Sequence, residues 1–353
     1  MRMNLKNVLI LFFIGLLSLV LVACGGEAAT NEKSAEENTN GSESNSGDEI
    51  EELKFRIAHN MPVEHHTAKG IQKFADLISE KSDGKIEVSI FPSGQLYDDT
   101  TMADAVTSGQ VEVGMSSIHM WTGHIPSAAL FSTPLFRNYE DLHEGLESGI
   151  SDLLTEEFNK MGAHPLIWAD YGFAYTASTK RALITPDDYK GMRVRVLSPL
   201  DAFLVEEAGG SPVSMGGGEV DQALQKGTID AALSGTTSFF SRQYYQYTGY
   251  FNGPIAGSTF PVTANLDWWN NLPENTKKLI TEAANDASKW ISEESEKSEL
   301  EAMKALKSEG MEYAEVDEDA FKEVFDAVVN QYIQNGGETA EKIVEIARKV
   351  TGK

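Results

Sequence analysis

The sequence predicts an α/β fold with two lobes, in which strands alternate with helices. One observation is a strand–helix–strand pattern over residues 53–115, and a second is a similar pattern over residues 193–233. Alternation of this kind is typical of a mostly parallel sheet covered by helices. A chain of 353 residues with 41% hydrophobic content is also long enough to build two such lobes.

The first lobe is predicted to start with a strand and a helix. Apolar and charged residues alternate over 53–57, which predicts a strand, and apolar positions recur at helical spacing after Pro62 until a turn at 82–84. The next predicted elements are a strand over 86–90, a helix over 102–108 and a strand over 111–115. The second lobe is predicted to contain a strand over 193–196, a helix over 219–226 and a strand over 229–233.

A long helix is predicted late in the chain. Neither glycine nor proline occurs between Pro273 and Gly310, and an apolar stripe runs through this segment. One helix of about 33 residues would extend roughly 50 Å, enough to cross both lobes, whereas two helices with an unmarked break are the alternative. Two further amphipathic helices are predicted, one over 321–332 and one around 343–347.

Residues 1–23 have the features of a lipoprotein signal peptide. Arg2 and Lys6 precede an apolar run over 8–22, which as a helix is about 22 Å long and shorter than the ~30 Å hydrocarbon core. The run ends in Leu-Val-Ala-Cys, which resembles the bacterial lipobox, and Cys24 is the only cysteine. We therefore expect Cys24 to be lipidated and to anchor the protein at the extracytoplasmic face of the cell membrane. A free thiol beside an uncleaved anchor is the alternative.

Composition and charge restrict the remaining possibilities. Residues 24–52 are rich in Glu, Asn, Ser and Gly without any aromatic residue, so we expect a disordered acidic tether. The formal charge of −25 becomes −27 without residues 1–23, because they contain two bases and no acid. Such a surface repels a phosphate backbone, so no nucleic acid partner is expected. An anionic ligand would require a local cation.

Several motifs along the chain carry a resemblance to a known family. They are DGKIEV at 83–88, FPSGQL at 91–96, TPLF at 133–136, PDDYKGMRVRV at 186–196, ALQKGTID at 223–230 and NLP at 271–273. The chain is similar in these motifs to the solute-binding subunits of tripartite ATP-independent periplasmic (TRAP) transporters, the dicarboxylate-binding-protein family. The resemblance extends from about Leu53 to the last helix.

The resemblance implies a two-lobed periplasmic-binding-protein fold with hinge strands and one long helix spanning both lobes. We expect lobe I to comprise 53–172 and 263–300, and lobe II to comprise 173–262 and 301–353. The resemblance also implies that a ligand is delivered to a permease made of a small and a large membrane subunit.

An arginine is the expected ligand-binding cation, because its planar guanidinium holds a carboxylate through two parallel hydrogen bonds. The predicted second lobe offers Arg193, Arg195 and Arg242. Strand alternation places Arg193 and Arg195 on one face, so periodicity does not choose between them. The family resemblance implies Arg195, which occupies the place of the ligand-clamping arginine.

Two departures from the family pattern affect the expected ligand. Many members have another arginine in the segment matching 171–176 and an asparagine after the strand at 229–230, and this chain has neither. The predicted ligand is therefore a small organic acid, either a monocarboxylate or a C4-dicarboxylate whose second end meets hydroxyls and backbone amides. Other candidate residues lie where strands end, since open α/β sheets bind ligands there. They are His59, Asn60, Ser117, Trp168, Tyr171, Phe173, Ser234, Phe239 and Asn252.

Other function classes are disfavoured by the motifs. The seven histidines lack the spacing of a zinc site, and neither a nucleophile elbow nor a phosphate loop is present. We therefore expect no metal, no cofactor and no enzyme activity. The alternatives are a ligand-binding sensor lipoprotein and a binding protein of an ATP-driven importer. The long helix and the Arg195 motif disfavour the importer.

Overall fold

A computed structural model describes residues 49–352, which contain nine strands and ten α-helices. The strands are β1 (Leu53–His59), β2 (Ile86–Phe91), β3 (Val113–Met115), β4 (Ala163–Ser178), β5 (Arg193–Val196), β6 (Ser211–Ser214), β7 (Ala231–Ser234), β8 (Tyr250–Asn265) and β9 (Glu312–Ala314). The helices are α1 (His66–Lys81), α2 (Asp99–Thr107), α3 (Tyr139–Gly145), α4 (Ser151–Lys160), α5 (Pro199–Glu207), α6 (Val220–Gln225), α7 (Thr236–Ser241), α8 (Leu266–Asn270), α9 (Glu274–Ser308) and α10 (Glu318–Thr351).

All nine strands belong to one mixed sheet. Its order is β2-β1-β3-β8-β4-β7-β5-β6, and β9 pairs with β8. The strands β2, β1 and β3 are parallel to one another, and so are β7, β5 and β6, whereas β8 and β4 are antiparallel to their neighbours on this path. Two parallel groups are thus joined by a pair of long strands. This is the predicted α/β architecture with two lobes and hinge strands.

The hinge strands β4 and β8 are each 16 residues long, and their positions in the chain were not predicted from the sequence. Most of their residues are buried, so the apolar–polar alternation that marks a half-exposed strand is missing. Their pairing is interrupted by register shifts between Pro165 and Ile167, Asp170 and Gly172, and Ala174 and Thr176. Such irregularities bend a strand and increase its local twist.

Helix α9 is a single helix of 35 residues, so the alternative of two shorter helices is wrong. It packs against helix α1, which follows β1, against hinge strand β4, and against helix α7, which follows β7. Helix α9 therefore contacts helices that belong to both parallel groups of strands. The contact with α1 is very close at Gly70, where an added Cβ atom would lie 2.3 Å from Cγ1 of Ile291. Glycine at this position is what lets the two helices approach.

The last two predicted helices are confirmed as two segments of α10, which breaks at Gly337. This glycine has φ 57° and ψ −144°, a conformation that residues with a Cβ atom rarely adopt. Helix α10 packs against α5 and the 3₁₀ segment Pro126–Ser132. The hydroxyl of Tyr332 donates a hydrogen bond of 2.9 Å to the carbonyl of Ser127. The lobe boundaries stay predictions.

No helix within residues 49–352 combines the length and apolarity that a membrane crossing requires. The predicted signal peptide, Cys24 and nearly all of the predicted tether lie outside the described residues.

Candidate functional site

A small cavity lies between the two parallel groups of strands, at the carboxyl ends of β1, β3, β5 and β7. Its volume is about 20 Å³, which accommodates about one water molecule. Five residues predicted from the sequence line it, namely Asn60, Ser117, Tyr171, Arg195 and Ser234. The lining also includes Asp99, Ser238, Arg242 and Ser258, which were not among the predicted site residues. A ligand larger than water requires this cavity to widen.

Arg195 lies on β5 in the centre of its parallel group and is 1% exposed. Its Nε donates to the carbonyl of Met215 at 3.1 Å, and its Nη1 donates to the carbonyl of Leu233 at 2.8 Å. These two carbonyls fix the guanidinium plane. Among residues 49–352, no carboxylate forms an ion pair with Arg195 and no acceptor hydrogen-bonds to its Nη2. A buried cation in this state favours an incoming anion.

Arg193 has a different role, although it shares a strand face with Arg195. Its side chain is 45% exposed and forms a bidentate pair with Asp230, with Nε–Oδ2 at 2.8 Å and Nη2–Oδ1 at 3.0 Å. This hydrogen bonding, together with that from Lys180, holds the pKa of Asp230 well below its usual range. The structure thus separates the two arginines by position along the strand, which periodicity does not reveal.

Arg242 supplies a second cation to the cavity. It follows the last residue of α7, and its Nη2 donates to the backbone carbonyl of Asn60 at 3.3 Å. A Cβ atom on Gly217 would lie 3.8 Å from Cζ of Arg242 and 3.9 Å from Nη2 of Arg195. Both guanidiniums therefore border the same glycine, and an anion between them would relieve their repulsion.

Asp99 is the acidic residue of the cavity and is 4% exposed. It is the first residue of α2, whose N-cap Asp98 accepts from the amides of Thr100 and Thr101 at 3.0 Å each. Oδ1 of Asp99 accepts from the backbone amide of Ser117 at 3.0 Å, and burial raises the pKa of its carboxyl. The helix predicted from the sequence starts at 102, and Asp99 was therefore not among the predicted site residues.

Tyr171 joins hinge strand β4 to the start of α7. Its hydroxyl donates to Oγ of Ser238 at 2.6 Å, lies 2.9 Å from Oγ of Ser234, and accepts from the amide of Gly235 at 3.1 Å. A Cβ atom on Gly235 would lie 2.6 Å from Cε1 of Tyr171, so glycine permits this close approach. The neutral hydroxyls of this cluster form one wall of the cavity.

The three other predicted aromatic residues do not line the cavity. Trp168 packs edge-on against Phe158, with ring centroids 5.6 Å apart. Phe173 is 2% exposed and Phe239 is fully buried, the latter 5.9 Å from the ring of Tyr244. The structure places these side chains in or against the hydrophobic core.

His59 and Asn252 are also absent from the cavity lining. His59 is 1% exposed, and burial lowers its pKa to about 4. Oδ1 of Asn252 accepts from the amide of Leu183 at 2.8 Å, and its Nδ2 donates to the carbonyl of Ala314 at 3.1 Å. Arg181, a further arginine that was not among the candidate residues, donates hydrogen bonds to backbone carbonyls of residues 186–190.

Contacts between the two lobes close the cavity. In addition to the Arg242–Asn60 bond, Nε2 of His65 lies 3.0 Å from Oγ1 of Thr237. Burial keeps the pKa of His65 well below its usual range, so this bond involves a neutral imidazole. The structure therefore represents a closed arrangement.

Glu299 of α9 holds the hinge strand β4. The amide of Phe173 donates to its Oε2 at 3.0 Å, the hydroxyl of Tyr139 donates to Oε2 at 3.0 Å, and the hydroxyl of Tyr175 donates to Oε1 at 2.8 Å. A Cβ atom on Gly172, which has φ 105°, would lie 2.4 Å from Oε2 of Glu299. Burial raises the pKa of the Glu299 carboxyl.

Within the described part of the chain, no group of three or more His, Cys, Asp or Glu side chains is placed to hold a metal ion. The cavity instead combines two guanidiniums, one carboxylate and several hydroxyls. Such a set can bind a polar anion reversibly.

Comparisons with known proteins agree with this chemistry. The model of the family described as bacterial extracellular solute-binding protein, family 7, matches residues 57–335. The C4-dicarboxylate-binding periplasmic protein DctP of Rhodobacter capsulatus is 27% identical over 300 residues, covering 82% of this chain and 89% of that protein.

Solved structures have the same fold. A sugar-acid-binding protein of Advenella mimigardefordensis in complex with galactonate superposes with a TM-score of 0.81 at 23% identity, covering 86% of this chain and 100% of that one. A TRAP periplasmic solute-binding protein of Sulfurospirillum deleyianum with bound succinate gives a TM-score of 0.78 at 22% identity, covering 86% and 99%. The chain belongs to family 7 of the bacterial extracellular solute-binding proteins, as its resemblance to TRAP solute-binding subunits predicts, and it is a solute-binding protein rather than an enzyme.

Proposed function

We propose that this protein binds a small organic acid between its lobes, with the ligand carboxylate held by Arg195, and delivers it to a TRAP permease of a small and a large membrane subunit. The observation that carries the proposal is the buried guanidinium of Arg195, which two carbonyls orient and which forms no ion pair with a carboxylate of residues 49–352. The relatives named above are described with galactonate, succinate or C4-dicarboxylates, and all of these ligands contain a carboxylate.

The second guanidinium supports the same assignment. Arg242 borders the cavity beside Arg195 and also bonds to Asn60 across the two lobes. An anion that draws both arginines together would favour the closed arrangement over an open one, which is the coupling that a binding protein requires. The ligand is a monocarboxylate or a C4-dicarboxylate.

Calorimetry with a panel of mono- and dicarboxylates tests the binding step. We expect Arg195→Ala to weaken binding by at least about 30-fold, because losing one partner of a buried hydrogen-bonded charge pair costs about 2–5 kcal/mol. Arg193→Ala is the matched control, since Arg193 lies on the same strand but pairs with Asp230 outside the cavity. Equal affinity in wild type and Arg195→Ala would show that the assigned cation is wrong.

Delivery and anchoring need separate tests. Uptake of the bound acid by cells that express both permease subunits should require this protein, and uptake that is independent of it would contradict delivery. We also propose that Cys24 is lipidated and holds the protein at the extracytoplasmic face of the membrane. Cys24→Ser should then move the protein from the membrane fraction to the soluble one, and an unchanged distribution would contradict the anchor.

A further inference from the structure

His65 lies at the contact between the lobes and is 2% exposed. It is the N-cap of α1, and its Nδ1 accepts a hydrogen bond from the amide of Thr67 at 3.3 Å. Because Nδ1 accepts, the hydrogen of the neutral imidazole is on Nε2, which donates to Oγ1 of Thr237 on α7 at 3.0 Å. One imidazole therefore caps a helix of the first lobe and bonds to a helix of the second.

A proton on Nδ1 of His65 is incompatible with this arrangement. It would direct an N–H group at the N–H of Thr67 and remove the cap of α1. It would also place a positive charge at the N-terminus of a helix, which the helix dipole disfavours. Burial acts in the same direction and keeps the pKa of His65 well below its usual range. His65 is therefore neutral in the closed arrangement.

The surroundings of His65 do not compensate a charge on its ring. Tyr171 of β4 contributes a stacked ring, with centroids 5.4 Å apart, and a neutral hydroxyl. The acids Glu64 and Glu301 line a crevice of about 580 Å³ that His65 also borders, but both are exposed, so water screens their attraction. The groups of β1, α1 and the end of α7 that oppose a proton on His65 are all positive when ionised, namely His59, His66, Lys69 and Arg242.

The same crevice gives water a path to His65 when the lobes separate. Its walls come from α1 with Lys69, from α7 with Thr237 and Phe240, and from α9 with Ala302. Movement of α7 away from α1 removes the hydrogen-bond partner of Nε2 and widens the crevice beside the ring. A solvated imidazole then takes up a proton in mild acid.

We propose that the lobes close over the ligand only when His65 is unprotonated, so that capture of the ligand releases a proton and weakens in mild acid. This inference rests on the proposed function, in which an organic acid binds between the lobes and favours their closure. The proton leaves the imidazolium of the open form for the solvent, and the neutral ring then donates to Thr237. Acidification thus favours the open form and release of the ligand.

Calorimetry with galactonate, or with succinate if galactonate does not bind, tests the proposal. A solvated imidazole has a pKa of about 6.5, so lowering the pH from 8 to 5.5 should weaken binding to the wild type by about tenfold. Titrations at pH 6.5 in buffers of different ionisation enthalpy should show release of about half a proton per bound acid. Variants are compared with the wild type using the same acid, so titration of the acid itself cancels.

His65→Asn is the informative variant, because asparagine is a good N-cap and does not titrate. We expect its affinity to change at least about threefold less than that of the wild type over the same pH range, and its proton release at pH 6.5 to fall by about half a proton. His164→Asn is the matched control. His164 is another half-buried histidine whose pKa burial lowers, but it stacks on Trp269 and bonds to Asn159 outside the interlobe contact. This variant should keep the pH dependence of the wild type.

The outcomes separate this inference from the proposed function. If wild-type affinity does not change between pH 8 and 5.5, or His65→Asn keeps the full change, His65 does not control closure. Binding that is lost in Arg195→Ala would leave the proposed function intact in that case. If no acid binds, both proposals are wrong. Should His65→Asn fail to fold, NMR titration of the wild-type imidazoles decides, because His65 must titrate near pH 6.5 in the free protein and not above pH 5 in the complex.

Discussion

Replacing Glu299 by alanine should destabilise the hinge more than any conservative change at the same position. The substitution removes the acceptor for three hydrogen bonds, and it leaves the amide of Phe173 and the hydroxyls of Tyr139 and Tyr175 without that partner. Hydrogen bonds to a charged group contribute about 1.5–3 kcal/mol each, and networks of this kind are not additive. We expect a loss of about 3–5 kcal/mol in the free energy of unfolding.

Glu299→Gln is the control that separates hydrogen bonding from charge. The side-chain oxygen of glutamine can accept the hydrogen bond from the amide of Phe173. Its NH₂ group can donate to the hydroxyl of Tyr175, which would then accept a hydrogen bond instead of donating one. We therefore expect Glu299→Gln to stay within about 1 kcal/mol of the wild type at neutral pH. Denaturant titration of the three proteins measures these differences. A loss below about 1 kcal/mol in Glu299→Ala, or equal losses in both variants, would refute the reasoning.

The raised pKa of Glu299 predicts the direction in which the stability of the protein changes with pH. Because burial raises the pKa of this carboxyl in the folded state, ionisation penalises folding above that pKa, and the penalty disappears as pH falls through it. The wild type should therefore gain stability relative to Glu299→Gln when the pH is lowered from neutral toward the ordinary pKa of a glutamate carboxyl. A difference that moves in the opposite direction would show that the hydrogen bonds outweigh burial.

Two further predictions concern the packing of two helices and the ion pair between Asp230 and Arg193. Gly70→Ala should lower the free energy of unfolding by about 1–3 kcal/mol, because the new Cβ would lie 2.3 Å from Cγ1 of Ile291. Gly123→Ala is the control, because no atom lies within 4 Å of a Cβ added at that position. Denaturant titration measures both, and equal effects would contradict the close α1–α9 contact. Asp230→Asn should lower the midpoint of thermal unfolding by a few degrees at pH 7, because its depressed pKa reflects stabilisation by Arg193. That stabilisation is present above the pKa that Asp230 has in the unfolded chain, and it is lost as the pH falls through the pKa of Asp230 in the folded protein. If Asp230→Asn still unfolded at a lower temperature than the wild type in strong acid, the ion pair would not be the cause of the difference.

Much of the fold could be predicted because many of its helices and strands have one buried and one exposed face, which gives their sequences a periodic pattern of apolar and polar residues. Helix α1 and strand β1 show the spacing of apolar residues that their surroundings impose, and α9 has an uninterrupted buried stripe. Strands β4 and β8 escaped prediction for the opposite reason, since burial on both faces removes the periodic signal. The sequence therefore predicts the lobes better than their connection.

Part of the candidate site was predictable, either from a local motif or from the positions where predicted strands end. Arg195 follows from the motif at 186–196, whereas Arg242 and Asp99 lie at helix ends that no periodic pattern marks. Their contacts are with residues distant in sequence, such as Asn60, which lies 182 positions from Arg242. Which side chains meet in the cavity depends on how the lobes close, and this is not encoded in any single segment.

The continuity of the sheet restricts how the cavity can open. Since all nine strands are hydrogen-bonded into one sheet, the parallel groups cannot separate as independent bodies without deforming the β4–β8 pair. The hydrogen bonding between β4 and β8 is already irregular at the three register shifts between Pro165 and Thr176. A rotation at these positions would therefore break the fewest regular hydrogen bonds between the two strands. We therefore expect the rotation axis of opening to cross β4 within these residues, beside the carboxylate of Glu299.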